Sequence, residues 1–248
     1  GFKNLEKMEL LKIIIPELID LKGIEEVEGQ THKDNFYHTL EVVDNISKNT
    51  NNLWLRWAAL LHDIGKAPTK KFDKKIGWTF HGHEYIGSKM VKNIFKRLSL
   101  PLNETLKYVQ KIVMMSSRPI IISEDIVTDS AVRRLIYDSG DSMDDLLTLC
   151  EADITTKNLK KSLKYQNNFK IVRNKIKAVE KRDSVRNFQP PITGEIIMDH
   201  FKISPCKEIG IIKEKIKNAI LDGEILNDYN QAFDLMLKIG ESIGLKDE

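Results

Sequence analysis

The fold is set by one run of residues, which reads LWLRWAALLHDIGK at positions 53–66. Apart from Arg56, its first nine residues are apolar, which is typical of a helix that is buried on most of its sides. Gly65 and Pro68 interrupt this pattern. We therefore expect a central helix over Leu53–Ile64 that ends just before the glycine.

The pair His62-Asp63 at the end of that helix is the first candidate for chemistry. Adjacent helical side chains point about 100° apart, so both can reach one cation only near a helix end. A buried carboxylate is costly unless it is paired or binds a metal. His38 precedes the pair on another predicted helix, and Asp153 is a second acid within an apolar helix. Five of the six histidines fall within 52 residues; all six are at positions 32, 38, 62, 81, 83 and 200.

Two imidazoles and two carboxylates form a mixed nitrogen and oxygen ligand set, which suits Mn, Fe, Ni, Zn or Mg. The alternative is that His62 and Asp63 are a capping pair, in which the histidine favours the negative end of the helix. A capping pair does not account for His38 upstream or for the acid Asp153 downstream. The sequence therefore favours a metal site without choosing the metal.

The remaining pattern predicts an all-α protein, because no segment shows sustained strand alternation. Pro190-Pro191 separates a small C-terminal unit, and a short hairpin is expected around Lys74–Phe80. An amphipathic pattern also runs from Phe2 towards Pro16. The other predicted helices are Asp34–Lys48, His83–Leu98, Asn103–Ser116, Ser130–Asp138 (with Asp129 as N-cap), Ser142–Thr155, Asn158–Lys181, Gly194–His200, Cys206–Leu221 and Asp228–Ile243, with Gly223 as the turn before the last one.

Composition excludes several classes of protein. The chain has 248 residues, of which 41% are apolar and 30% charged, with 13 glycines and 7 prolines, so it is neither a disordered nor a low-complexity tract. No apolar run approaches the roughly 18 residues of a membrane span. Two cysteines, Cys150 and Cys206, do not make a disulfide framework. We expect a globular cytoplasmic protein of one large or two small domains.

The net charge of +3 conceals an uneven distribution. Positions 157–186 hold eleven basic and two acidic residues, so this segment carries +9 and the rest of the chain −6. Such a segment suits an RNA phosphate backbone, although a solvated lysine-rich helix explains it as well. Tyr165 and Phe169 lie four residues apart within it, a spacing that more often marks core contacts than base stacking.

His38, the run at 60–66, His83 and Asp153 together resemble the HD-domain superfamily of metal-dependent phosphohydrolases. Longer motifs are similar to the HD-containing bacterial tRNA nucleotidyltransferases, the family of CCA-adding enzymes and poly(A) polymerases. The resemblance covers essentially the whole chain; its motifs are FHGHE (80–84), TDSAVRR (128–134), EADITTKN (151–158), IIPEL (14–18), PITGE (191–195) and LDGEI (221–225).

The resemblance implies an HD-domain helical bundle with a flanking neck helix and a small C-terminal helical unit. It divides the chain into a neck region at 1–30, an HD domain at 31–157, a basic helix and linker at 158–189, and a tRNA-binding type of unit at 190–248. The nucleotidyl-transfer head of the family uses Gly-Ser and Asp-x-Asp, and the chain has no Asp-x-Asp. Because the helical pattern also begins at once, we expect a fragment that follows the head.

Carried over from the family, the metal ligands are His38, His62, Asp63 and Asp153. The implied reaction is hydrolysis of 2′,3′-cyclic phosphates, 2′-nucleotides or other phosphomonoesters, with Asp63 or His83 handling the proton. Ser116 stands where relatives often have a histidine, which argues for one divalent metal at most. The expected contacts with phosphate or tRNA are Arg118, Arg133, Arg134, Lys157, Lys160, Lys161 and Lys164.

Two other interpretations stay open at the level of the sequence. One is a stand-alone HD nucleotidase or phosphatase whose basic helix is only solvated surface. The other is a metal-free HD scaffold that only binds RNA. Pairing of Arg118, Arg133 and Arg134 with nearby acids is as well founded as phosphate binding. The metal, the physiological substrate and the oligomeric state are left open.

Overall fold

A computed structural model describes residues 1–124, 128–156, 158–183, 186 and 188–245, with the side chains of 123 and 124 set aside. Within these residues the chain is helical apart from loops and two short hairpins, which confirms the all-α prediction. The chain divides into two compact units. The first comprises Gly1–Asp125 and Asp141–Ile171, and the second comprises Ile126–Gly140 and Val172–Glu248.

The helices of the first unit are short near the N-terminus, and most of those after residue 34 are longer. They are α1 (Phe2–Lys7), α2 (Leu10–Ile14), α3 (Pro16–Ile19), α4 (Asn35–Ser47), α5 (Leu53–Leu61), α6 (Lys66–Thr69), α7 (His83–Arg97), α8 (Glu104–Met115) and α9 (Arg118–Glu124). The two antiparallel hairpins pair β1 (Glu26–Val27) with β2 (Gln30–Thr31), and β3 (Lys71–Asp73) with β4 (Gly77–Thr79).

The later helices are shared between the two units. They are α10 (Asp129–Ser139), α11 (Met143–Ala152), α12 (Leu159–Asp183), α13 (Gly194–Phe201), α14 (Lys207–Asp222) and α15 (Tyr229–Ser242), with a 3₁₀ turn at Gly140–Ser142. Helix α11 belongs to the first unit and α10, α13, α14 and α15 to the second, while α12 contributes residues to both. None of these described helices is long and apolar enough to cross a bilayer.

Helix α5 is the centre of the first unit. It packs against α4, α8 and α11, and Leu55 and Leu61 have no exposed surface. Each leucine buried in this way stabilises the fold by about 1.5–3 kcal/mol before the entropic cost of ordering it. The side chain of Asn52 caps the helix by accepting hydrogen bonds from the backbone N–H groups of Trp54 and Leu55. The helix begins where the sequence predicts.

The sequence-based bounds and elements need correction at several places. Helix α5 ends at Leu61, three residues before the predicted end, because the chain turns over residues 62–65. The N-terminal pattern is broken at Met8 and Glu9, where Glu9 adopts a left-handed φ of 58°. Thr128, rather than Asp129, caps α10 by accepting from the N–H of Ala131. Helix α11 ends at Ala152, three residues before its predicted end. The hairpin β1–β2 and the helices α6 and α9 were not predicted.

The second unit is built around α14. This helix packs against α10, α13 and α15, and it ends at Gly223, whose φ of 78° is the left-handed geometry that glycine adopts without strain. The turn predicted at Gly223 is therefore confirmed. Gly240 of α15 lets the ring of Phe201 approach, since a Cβ at this position would lie 2.2 Å from the Phe201 Cζ atom.

Candidate metal centre

The four predicted ligands are carried by the ends and faces of three packed helices in the first unit. His38 lies on the buried face of α4, His62 is the C-cap residue of α5, and Asp63 follows it. Asp153 is the C-cap residue of α11, which packs against both α4 and α5. The packing of these helices brings the four side chains together.

The distances define a compact group. One ligand atom each from His38, His62 and Asp63 lies within 4.8 Å of the others, and all three residues are buried. The Nε2 atoms of His38 and His62 lie 3.7 and 3.4 Å from Asp63 Oδ2. Asp153 Oδ1 adds a fourth atom, at 2.7 Å from His38 Nε2 and 3.7 Å from His62 Nε2.

The orientation of His62 leaves one nitrogen free for a metal. Its Nδ1 atom donates to the carbonyl oxygen of Ala59 at 2.8 Å, so in the neutral ring Nε2 carries the lone pair. Within the part of the chain that the structure describes, His62 Nε2 and Asp153 Oδ1 are buried without a hydrogen-bond partner. Donor atoms that share a metal at about 2 Å are separated by roughly 3–4 Å, as these two atoms are. The donor set therefore fits a divalent cation.

The charges of the group are strongly coupled. Burial alone would lower the pKa of His62, but the carboxylates of Asp63 and Asp153 outweigh it and raise that pKa to about 10. Burial alone would raise the pKa of Asp63, yet His62, Lys66 and His38 hold it well below its usual range. The pKa of Asp153 is lowered likewise, against the effect of burial, by His38 and His62. Without a metal, a proton on His62 takes the place of the cation between two carboxylates.

His83 is held beside this group by a close approach of two backbone segments. Its Nδ1 atom donates to the Phe80 carbonyl at 2.9 Å, and its Nε2 atom lies 3.6 Å from Asp63 Oδ1. A Cβ on Gly65 would lie only 2.0 Å from the His83 carbonyl oxygen, so a glycine is needed for α6 and α7 to meet here. Gly65 thus sets the position of His83 relative to Asp63.

Two lysines border the group. Lys66 Nζ donates to Asp63 Oδ2 at 2.7 Å. Lys33 Nζ lies 2.7 Å from His38 Nδ1 and also donates to Thr155 Oγ1, which is itself 3.1 Å from His38 Nδ1. Burial lowers the pKa of Lys33, although Asp153 opposes the shift. Lys33 and Thr155 were missed in the sequence, where the only signal was their closeness to His38 and Asp153 along the chain.

The serines that replace the family histidine have partners inside the protein. Ser116 is buried, and its hydroxyl donates to the Val113 carbonyl at 3.0 Å. The Ser117 hydroxyl donates to Glu84. The expectation of one metal at most stays a prediction.

The predicted phosphate and RNA contacts are distributed over both units, unlike the four predicted metal ligands. Arg118 is the first residue of α9 in the first unit. Arg133 and Arg134 belong to the second unit, where Arg133 Nε donates to Asp183 at 2.7 Å and Arg134 donates to Asp222 through Nε and Nη2. Lys157 lies outside the described residues. The side chains of Lys160, Lys161 and Lys164 are exposed on the first turns of α12.

The chain is similar to known proteins, both to a family of domains and to individual enzymes. Residues 35–156 match the family described as HD domain. The chain is 31% identical over 156 residues to the A-adding tRNA nucleotidyltransferase of Deinococcus radiodurans, which covers 62% of this chain and 34% of that protein. It is 31% identical over 164 residues to the CC-adding tRNA nucleotidyltransferase of Thermus thermophilus, with the same coverage of 62% and 34%.

A third similarity points the same way. The chain is 29% identical over 161 residues to the multifunctional CCA protein of Shewanella frigidimarina, covering 62% of this chain and 37% of that protein. The aligned part thus amounts to about a third of the length of these curated relatives. The resemblance to HD-containing tRNA nucleotidyltransferases is confirmed for this portion.

Proposed function

Residues 35–156 form an HD domain and the chain is related to bacterial tRNA nucleotidyltransferases, and from this premise we propose that it is a metal-dependent phosphohydrolase that acts on RNA ends. Its substrates are 2′,3′-cyclic phosphates, 2′-phosphates and other phosphomonoesters. One divalent metal binds to His38, His62, Asp63 and Asp153, and tRNA is the macromolecular partner. The proposal includes a cytoplasmic location for the protein.

A single observation carries the proposal. His62 Nε2 and Asp153 Oδ1 are both buried and lie 3.7 Å apart, and neither makes a well-aligned hydrogen bond within the described chain; Asp153 Oδ1 has only the close Nε2 atom of His38, at 2.7 Å. Leaving such groups unsatisfied costs about 1–3 kcal/mol for each of them. A cation between them removes that cost, and HD domains bind divalent metals.

When bound, a divalent metal supplies Lewis-acid polarisation of a phosphoryl oxygen and lowers the pKa of water towards about 7. The residues around the metal would accept a proton and neutralise charge. His83 has its Nδ1 proton engaged by Phe80, so its Nε2 lone pair is available to accept a proton beside Asp63. Lys66 partly neutralises Asp63, and Lys33 offers an ammonium group to the phosphate.

The test of hydrolysis compares two histidine variants. We expect the wild-type chain to retain about one divalent metal through gel filtration and to hydrolyse 2′,3′-cyclic AMP with Mn, Ni or Mg. His62→Ala should lose both properties because it removes one of the unpaired donors. His81→Ala is the matched control, since His81 is exposed and two residues from His83. Absence of bound metal and of turnover with all three metals would reject the hydrolase and leave the RNA-binding scaffold.

The tRNA contact is tested by charge reversal on α12. Replacement of Lys160, Lys161 and Lys164 by Glu should weaken tRNA binding and reduce its salt dependence by about one power of salt concentration for each lost phosphate contact. These three lysines have no ion pair with another described residue. The control reverses Lys89, Lys92 and Lys96 on α7, which produces the same change in net charge. Equal tRNA affinity of the two triple variants would reject this role of α12.

A further inference from the structure

A cavity of about 410 Å³ opens beside Asp153 in the first unit. Its volume lies within the range of sites that bind small molecules, about 300–1,000 Å³. Tyr165 and Phe169, one turn apart on α12, form one wall. The remaining lining residues are Lys33, Ile120, Asp153, Ile154, Thr155 and Thr156.

The cavity is continuous with the candidate metal centre through shared residues. Asp153 lines the cavity and is 23% exposed, yet its Oδ1 atom is buried against the two histidines, so the exposed part of the residue faces outward from the metal centre. Lys33 and Thr155 also line the cavity while they lie beside His38 Nδ1. The polar end of a ligand bound in the cavity could therefore lie next to the metal centre.

The lining combines polar side chains that also border that centre with two aromatic side chains of α12. Lys33, Thr155 and Asp153 provide charge and hydrogen bonds at the near end. Tyr165 is half-buried and Phe169 is almost completely buried, so the phenol ring of Tyr165 is the aromatic surface that a ligand can cover. A ligand that matches this division has an anionic group at one end and a flat, apolar-faced ring at the other.

We infer that this cavity binds the nucleoside part of a nucleotide substrate, with the base against Tyr165 and the phosphate between Lys33 and the metal centre. The inference rests on the proposed phosphohydrolase function and adds to it the place where the base of the substrate is held. Tyr165 is then a specificity residue, because stacking on an aromatic ring accepts any base but gives nothing to an ester without one.

Binding of adenosine 2′-monophosphate and of inorganic phosphate, each measured by calorimetry on the metal-loaded chain, tests the inference. Tyr165→Ala should weaken binding of the nucleotide about tenfold and leave phosphate binding unchanged. Tyr165→Phe keeps the ring and should retain nucleotide affinity within about twofold. Tyr85→Ala is the matched control, since Tyr85 is an exposed tyrosine on α7 of the same unit.

A second variant fills the cavity instead of emptying it. Thr156→Trp should exclude the nucleotide but not phosphate, and circular dichroism shows whether each variant is folded. Unchanged nucleotide affinity in a folded Tyr165→Ala or Thr156→Trp variant would overturn the inference. The inference would also be overturned if the wild type bound the nucleotide no more tightly than phosphate.

Failure of the hydrolase and failure of the cavity give different results. A chain that turns over no ester but binds the nucleotide through Tyr165 would reject the proposed reaction and support the cavity as a nucleotide site. A chain that hydrolyses glycerol phosphate as fast as the nucleotide, with no effect of Tyr165→Ala on either, would support the reaction and overturn the cavity.

Discussion

The candidate metal centre and a second charged cluster place carboxylates beside cationic side chains in different ways. The second cluster, here called the arginine cluster, consists of Arg133, Lys175 and Arg182 with Asp129 and Asp183 in the second unit. Its members are partly exposed, and each cation has a carboxylate partner. At the metal centre the side chains of His38, His62 and Asp63 are more deeply buried, and two of the centre's atoms have no well-aligned hydrogen bond in the described chain.

The arginine cluster needs nothing further to be stable. Hydrogen bonds from Arg182 and Arg133 outweigh the effect of partial burial and lower the pKa of Asp183 to about 2. Lys175 and Arg182 lower the pKa of Asp129 as well. At the metal centre, the equivalent compensation requires a proton or a cation that the helices themselves do not supply. Unsatisfied buried groups, and not charge density, therefore distinguish a site from a structural cluster.

Removing one carboxylate charge from each region gives the largest expected difference. Asp153→Asn should lower the affinity for Mn or Ni at least about a hundredfold, because a charged ligand is lost while the shape is kept. Asp183→Asn should leave that affinity unchanged, since Asp183 pairs with arginines of the second unit. Calorimetric titration with Mn or Ni measures the affinity of both variants. Equal losses of metal affinity would contradict the distinction between the metal centre and the arginine cluster.

A methyl group at Gly65 tests how tightly the centre is built. Gly65→Ala should destabilise the fold by about 1–3 kcal/mol, because the new Cβ would overlap the His83 carbonyl oxygen. Gly210→Ala on α14 is the control, since no atom lies within 4 Å of its Cβ position and alanine favours a helix by about 0.5–1 kcal/mol. Urea denaturation gives both values. A neutral Gly65→Ala would show that α6 and α7 separate easily.

The pH dependence separates the metal-free state from the loaded state. The pKa of His62 is raised to about 10 in the metal-free fold, above its unfolded value near 6.5. Its contribution to the free energy of unfolding is therefore complete below about pH 6.5 and is lost as the pH rises through about 10. We expect the chain with EDTA to lose stability over this interval and the metal-loaded chain to lose less. If the free energy of unfolding changed with pH in the same way with EDTA and with metal, the idea that a proton on His62 replaces the metal would be contradicted.

The exposed pair Arg134–Asp222 should show the smallest effect. Its side chains are 40% and 38% exposed, so a double-mutant cycle with Arg134→Ala and Asp222→Ala should give a coupling of at most about 1 kcal/mol. High salt should reduce that coupling further. A larger value that survives salt would mean that the second unit also contains an ion pair of structural importance.

Much of the site was predictable because its residues carry local signals. His62 and Asp63 follow an apolar run that ends at a glycine, and Asp153 is an acid in an apolar helix, so each is unusual in its own window. Lys33 and Thr155 carry no such signal, since an isolated lysine or threonine is ordinary on a surface. The two-residue strands β1 and β2 were missed for the same reason, as they are too short for a period to be recognised.

Periodicity and capping residues specify where several of the longer helices begin, because both act within a few turns of the chain. That is why α4, α5 and α7 begin within a residue of their predicted starts. The proximity of His38 to Asp153, and of Tyr165 to a cavity beside them, depends on how α4, α11 and α12 pack. His38 and Asp153 are more than a hundred positions apart, and Tyr165 lies on a different helix from either of them. Such contacts are determined only by the complementarity of the buried faces in the folded chain.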